Sequence, residues 1–179
     1  MKPRVTIKDK TFELSVPEEK ILEAVDKCAR EINADYADKN PIFVIVLGGA
    51  FIFGADLVRK ITIPCQIAFT KFSSYEGTST TSVIKEQLPV SEDFTGRHLI
   101  IVEDIVETGQ SMKFLKQRLE PIKPASVEIC ALSFKPEKCQ IPDLKIKYVG
   151  MRLPEAFIVG YGLDYDSSGR NLKDIYSLI

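Results

Sequence analysis

The densest chemistry in the chain lies in thirteen consecutive residues, Leu99-Ile100-Ile101-Val102-Glu103-Asp104-Ile105-Val106-Glu107-Thr108-Gly109-Gln110-Ser111. An apolar strand, Leu99 to Val102, ends in two adjacent acids. A short turn carrying Glu107, Thr108, Gly109, Gln110 and Ser111 then leads into a helix. A turn entering a helix N-terminus aims several backbone N–H groups at one point, and the helix dipole adds positive potential there. Gly109 lets an anion approach the backbone closely. Thr108 and Ser111 add hydroxyl donors. Together these groups suit a phosphate monoester. Glu103 and Asp104 would repel that phosphate unless something intervenes, and sugar hydroxyls and a divalent cation are the natural mediators. Phosphate, diol and metal in that order describe a sugar phosphate such as ribose 5-phosphate. Neither a GxxxxGK[ST] phosphate loop nor a GxGxxG dinucleotide fingerprint occurs.

The elements around this segment alternate. Ile42 to Leu47 (IFVIVL) is a continuous apolar run, as expected of a parallel strand buried on both faces. It opens into Gly48-Gly49, followed by a helix with Phe53, Leu57 and Val58. Further strands are predicted at Cys65–Phe69, Val127–Leu132 and Phe157–Val159, with a helix over Met112–Leu119. Before them, Arg4 to Ser15 reads as a hairpin broken at Lys8-Asp9-Lys10. Ser15 is placed to cap a helix whose buried face is Ile21, Leu22, Val25, Cys28, Ala29 and Ile32, and which ends near Asn40-Pro41. The fold class is therefore α/β, one domain with a mostly parallel central sheet flanked by helices. Its core is expected over about residues 16–147. A small hood is expected from residues 1–15 and 148–179, which lack the alternation. Ligands of such sheets bind outside the carboxyl ends of the strands. The polar stretch Ser73 to Thr95 is too long for an ordinary connection and reads as a lid over that region, with a plain β-arm as the alternative.

Composition narrows the function classes. A net charge of −1 argues against a protein that coats nucleic acid. No apolar run reaches the length of a membrane span, and Met1-Lys2-Pro3-Arg4 does not open a secretory signal, so a cytoplasmic location is expected. Cys28, Cys65, Cys130 and Cys139 show no CxxC spacing and read as reduced thiols. His98 is the only histidine, which leaves a His-based triad or zinc site without partners.

Residues Leu99 to Ser111 resemble the phosphoribosyl-pyrophosphate-binding motif of type I phosphoribosyltransferases. Other segments resemble one branch, the hypoxanthine-guanine phosphoribosyltransferases, and the resemblance spans nearly the whole chain. Val46 to Leu57 is similar to the family's first pyrophosphate loop. By that likeness Leu47, Gly48 and Gly49, with Arg170, contact pyrophosphate, and the Leu47–Gly48 peptide is cis. The family usually carries a larger polar or basic residue where Gly48 stands. Ser74-Tyr75 resembles a dipeptide in the family's flexible catalytic loop. Lys135 matches a lysine that donates to the purine O6, Phe157 one that stacks on the base, and Ile158 one that offers backbone groups to the purine edge. Asp164 matches a Mg²⁺ ligand, and Glu103 and Asp104 stand where they can serve the ribose hydroxyls and the metal. Glu103, Asp104, Glu107, Thr108, Gly109, Gln110 and Ser111 are implied to hold the ribose 5-phosphate.

The resemblance implies transfer of the phosphoribosyl group from phosphoribosyl pyrophosphate to N9 of hypoxanthine or guanine, with Mg²⁺ as cofactor and a homodimer or homotetramer as the assembly. The catalytic base is implied at Glu107, where the family places an aspartate. The carboxylate is kept but sits one methylene further out. Gly48 and Glu107 leave open a regulatory protein that keeps the fold and the ligand site without turnover. Lys135 and Phe157 suit any 6-oxopurine, which leaves open an enzyme preferring xanthine.

Overall fold

Strand β3 (Ile42–Leu47) is the spine of the molecule, and its sequence dictates two covered faces. Side chains alternate across a strand. Ile42, Val44 and Val46 therefore fall on one face and Phe43 and Ile45 on the other, and all five are buried. The computed structural model describes residues 2–75, 83–90 and 93–179. In it, helix α1 (Glu18–Asp35) and helix α2 (Phe51–Val58) cover the Phe43 face, while α3 (Gln110–Leu119) covers the Val44 face through Met112, Leu115 and Leu119. Full burial of such a side chain is worth about 1.5–3 kcal/mol, so the two-sided run fixes the layering.

The large sheet has the order β5-β4-β3-β6-β7-β8. Strands β4 (Gln66–Tyr75), β3, β6 (His98–Val106), β7 (Ser126–Phe134) and β8 (Tyr148–Arg152) run parallel, and β5 (Val83–Leu88) closes one edge antiparallel to β4. From β3 the chain goes first to β4 on one side and then to β6 on the other. The carboxyl ends of β3 and β6 therefore face a topological switch point, where the crevice of an open α/β sheet forms. A second sheet has the order β1-β2-β10-β9, from β1 (Arg4–Ile7), β2 (Lys10–Val16), β9 (Ile158–Val159) and β10 (Ile175–Leu178). It encloses its own small core of Ile7, Phe12, Val159 and Tyr176. The Tyr161 hydroxyl ties it to the large layer by donating to Asp56 of α2 at 2.6 Å.

Several expectations move. The hood begins later than residue 148, because Tyr148–Arg152 adds a strand to the large sheet beside β7. Gly150 breaks the apolar signal of that strand, and there is a reason for glycine: a Cβ would lie 2.7 Å from the Leu132 carbonyl oxygen. The predicted strand at Phe157–Val159 pairs with β10 in the small sheet rather than joining the large one. Ser15 does not cap α1, since β2 runs through to Val16 to pair with β10. Pro17 takes the N-cap position, and Asp174 supplies the cap instead, its Oδ1 accepting from the Glu18 N–H at 2.7 Å. The second strand reaches Tyr75 rather than Phe69, and its pairing with β5 makes the polar insertion a β-arm over its described part. Residues 76–82 of the expected lid lie outside the described residues.

Candidate active site

The motif strand is longer than its apolar run. Strand β6 continues through Glu103, Asp104 and Ile105 to Val106, so both acids stand inside a central parallel strand and are buried. Burial, with the Asp104 carboxylate beside it, pushes the Glu103 carboxyl well above the usual carboxylate range. Burial also raises Asp104, against a hydrogen bond from Glu103, the Ile105 N–H at 2.7 Å and the charge of Arg170, which pull it back.

Beyond Val106 the chain turns through Glu107, Thr108 and Gly109 into α3. Gly109 is the N-cap with φ +80°, a left-handed conformation that glycine adopts without steric cost. A Cβ there would also lie 2.8 Å from Leu144 Cδ2. The first N–H groups of α3 have no intrahelical acceptor and point out of the helix end. The Thr108 hydroxyl is at the same end, 3.4 Å from the Gln110 N–H. Ser111 lines the cavity this turn encloses. Gln110 is exposed and reaches Gln140 at 3.5 Å.

That cavity holds about 340 Å³ and is walled by Leu47, Gly49, Glu103, Glu107, Thr108 and Ser111 among others. Its β3 wall is the glycine loop. The Leu47–Gly48 peptide is cis. Gly49 passes so close to β6 that a Cβ would lie 1.7 Å from Asp104 Oδ2. Only glycine fits there, so the second loop glycine is explained by the acid it covers.

A second cavity of about 370 Å³ adjoins the first through Gly49, Ile105 and Glu107, and adds Asp104, Phe157, Ile158, Asp164 and Arg170. Phe157 is 48% exposed and presents a ring to it. Tyr165 meets that ring edge-on at 5.9 Å and 87°. Ile158 is buried, its backbone opposite Ser177 in the small sheet. Asp164 accepts from the Ser167 N–H at 2.7 Å and from Arg170 at 2.6 Å, and Arg170 also donates to the Gly162 carbonyl at 2.6 Å. A Cβ on Gly48 would lie 3.9 Å from the Arg170 guanidinium carbon, which places Arg170 beside the glycine loop.

Lys135 is not a surface lysine. It is 1% exposed, its ammonium donates to the Ala156 carbonyl at 2.6 Å, and it is paired with Glu107. Lys138 stands 3.8 Å from the other Glu107 oxygen and 3.6 Å from Glu155. Among the described residues no three His, Cys, Asp or Glu side chains converge into a metal-binding group, although Asp104 and Asp164 line the same cavity. Ser74 and Tyr75 close β4, three and four residues beyond Lys71, which pairs with Leu47.

Residues 17–166 match the model of the phosphoribosyl transferase domain. The chain is 40% identical over 161 residues to a hypoxanthine-guanine phosphoribosyltransferase of Streptococcus pneumoniae, covering 89% of each chain. It belongs to the hypoxanthine-guanine phosphoribosyltransferase family. A crystal structure of a Bacillus anthracis member, with a HEPES molecule in its active site, superposes with a TM-score of 0.88 at 36% identity, over 93% of this chain and 98% of that one. A hypoxanthine phosphoribosyl transferase of Trypanosoma cruzi superposes with a TM-score of 0.89 at 32% identity, over 99% of this chain and 95% of that one.

Against the family's motifs, the structure adds side chains that sequence reasoning did not single out. Lys138 stands beside Glu107 with Glu155 on its other side, and Tyr165 braces Phe157. Each reads in the sequence as an ordinary polar or aromatic residue, and only the fold puts it beside the site. In Tyr165 a weak signal existed, since it ends the same segment as Phe157.

Proposed function

We propose that this chain transfers the 5-phosphoribosyl group from phosphoribosyl pyrophosphate to N9 of hypoxanthine or guanine, releasing pyrophosphate. The observation that carries this reading is the junction of the two cavities at Glu107. One cavity has the donors for a sugar phosphate, the other the Phe157 ring for a purine, and Glu107 stands where they meet, paired with the buried Lys135.

The ribose 5-phosphate lies in the cradle of residues Glu107 to Ser111, and this remote anchor lends binding energy to the reacting end. Glu103 and Asp104 accept from the ribose hydroxyls and fix the sugar against rotation. The Leu47–Gly49 loop and Arg170 receive the pyrophosphate. The purine lies on Phe157 with its edge toward Ile158. Lys135 has three N–H donors, of which Glu107 and Ala156 take two. We assign the third to O6 of the purine, an acceptor that adenine lacks, since its 6-amino group is itself a donor. As the bond from C1 to pyrophosphate breaks and the bond to N9 forms, Glu107 takes the ring proton. Water must be kept from the activated sugar carbon, and Ser74 and Tyr75 are the residues that the family resemblance assigns to that task.

The donor set suits Mg²⁺. Asp164 and Asp104, which line the second cavity, would hold the cation together with Glu103. When bound it supplies neutralisation of the leaving group's charge. Asp164 would have to exchange Arg170 for the cation, which frees Arg170 for the pyrophosphate.

We also propose a homo-oligomer. Phe51 of α2 is 46% exposed, and Ile67 and Phe69 of β4 are 46% and 49% exposed. Ile67 and Phe69 pair with Phe43 and Ile45, so they lie on the face of the sheet that α2 covers. Sedimentation should give a multiple of 20.1 kDa, and Phe69→Asp should lower it.

The test of the activity is product analysis with phosphoribosyl pyrophosphate, Mg²⁺ and each of hypoxanthine, guanine, xanthine and adenine. The reading expects IMP from hypoxanthine or GMP from guanine, and little AMP. Predominant XMP would support a xanthine enzyme. No nucleotide from any base would support a binding protein without turnover.

A further inference from the structure

A groove of about 520 Å³ runs along the outer flank of α3, against the 340 and 370 Å³ of the pair described. Its apolar floor is Pro124, Val127, Ile141 and Leu144. Its rim carries Lys113, Lys116, Lys123 and Lys145 against Glu120 and Asp143. Among the described residues none of these four ammonium groups is ion-paired or hydrogen-bonded. Four unpaired cations around an apolar floor leave the groove complementary to a molecule with a flat apolar body and several negative charges. Lys113 and Lys116 are three apart on one helix, so both face the same charged end.

The floor of this groove is also the back wall of the phosphate cradle. A Cβ on Gly109 would meet Leu144 at 2.8 Å and Ile141 at 3.2 Å. The Gln140 N–H donates to the Thr108 carbonyl at 3.0 Å. The segment 140–144 therefore touches the cradle on one side and lines the groove on the other. Helix α3 does the same lengthwise, with its N-terminus at the cradle and Lys113 and Lys116 on the groove.

We propose that this groove is a second binding site, for a nucleoside polyphosphate, and that its occupancy tightens the phosphate cradle. The base lies on Val127, Ile141 and Leu144, and the phosphates lie among the four lysines. A ligand packed against Ile141 and Leu144 holds them against Gly109, which restricts the turn before the 5-phosphate arrives. The binding half stands on the groove alone. The coupling half rests on the cradle being the 5-phosphate site.

The test uses the full chain with ATP as probe and saturating IMP to fill the catalytic cavities. Equilibrium dialysis should show one ATP per chain that IMP does not displace. The double variant Lys116→Glu, Lys123→Glu should weaken that ATP at least tenfold while IMP binding stays at the wild-type value. Inorganic tripolyphosphate, lacking the base, should bind more weakly than ATP. In the forward reaction ATP should lower KM for phosphoribosyl pyrophosphate in the wild type and leave it unchanged in the double variant. No ATP bound beside IMP, or equal ATP binding in the double variant, overturns the site. Tripolyphosphate binding as well as ATP overturns the nucleoside assignment. Undisplaced ATP with an unmoved KM overturns the coupling. Failure of IMP itself to bind would count instead against the catalytic reading, and dialysis of ATP alone would still report on the groove.

Discussion

Replacing Lys135 by Met separates recognition of the purine from support of the fold. The side chain is 1% exposed and comparable in length to Met, so the substitution removes the charge while keeping most of the volume. Two interactions are lost, the bond to the Ala156 carbonyl at 2.6 Å and the pair with Glu107. Glu107 is 38% exposed and keeps Lys138 at 3.8 Å, so it is solvated rather than stranded. Removing a buried charge also removes its desolvation cost. The net loss of stability should be about 1–2 kcal/mol, mainly from the unpaired Ala156 carbonyl. That corresponds to a fall in Tm of roughly 2–8 °C for a domain this size. The loss in purine binding should be larger. A hydrogen bond to a charged group is worth about 1.5–3 kcal/mol, which is roughly 10–150-fold in affinity. KM and Kd for hypoxanthine should rise by that factor, the preference over adenine should shrink, and Kd for phosphoribosyl pyrophosphate should stay within about twofold. Calorimetry and steady-state kinetics on one preparation measure all four. A lowered Tm with unchanged hypoxanthine affinity would show that Lys135 only braces the β6–β7 corner.

Three further outcomes follow from the same geometry. Gly49→Ala puts a methyl 1.7 Å from Asp104 Oδ2, so either the loop or the acid must move; a misplacement near 1 Å costs about 10²-fold, and kcat/KM should fall by at least that, with near-wild-type activity contradicting the packing. Burial raises the Glu103 carboxyl, so the folded state keeps a proton that the unfolded chain has lost, and this group's contribution to stability falls as pH climbs from the ordinary carboxylate range to the raised value. Glu103→Gln should therefore melt above the wild type at pH 8 and converge with it near pH 5, whereas parallel melting curves across pH would refute the burial argument. Excess chelator should abolish turnover and Mg²⁺ should restore it, and full activity without divalent cation would rule out the proposed role of Asp164.

The layering of the large sheet was legible because IFVIVL admits only a strand covered on both faces, and the turn into α3 because Gly109 precedes a stretch with amphipathic helical spacing. What was not legible depends on contacts between distant segments. Glu107 and Lys135 are 28 residues apart and meet because Val106 pairs with Phe134 in the parallel register of β6 and β7. No local pattern encodes that register. Likewise the apolar run ends at Val102, and the two adjacent acids after it carry no sign that the strand continues. The structure keeps them in the ladder to Val106, which is what buries them and gives Gly49 its task. The cap of α1 comes from Asp174, 156 residues away. The hood boundary failed at Gly150, where close packing against Leu132 selects the residue that breaks the apolar run.

The central claim is that Glu107, at the joint of the two cavities, takes the purine proton during phosphoribosyl transfer. Glu107→Gln keeps the size of the side chain and removes its basicity. General-base catalysis contributes about 10²–10⁴-fold in rate. Rapid-quench measurement of IMP formation under single-turnover conditions, with Kd for phosphoribosyl pyrophosphate determined on the same samples, reads both halves of the claim. The account predicts a fall in the chemical step of that order in the Gln variant, an unchanged or slightly tighter Kd from the lost repulsion, and an active Glu107→Asp. A Gln variant that forms IMP at the wild-type rate would contradict it.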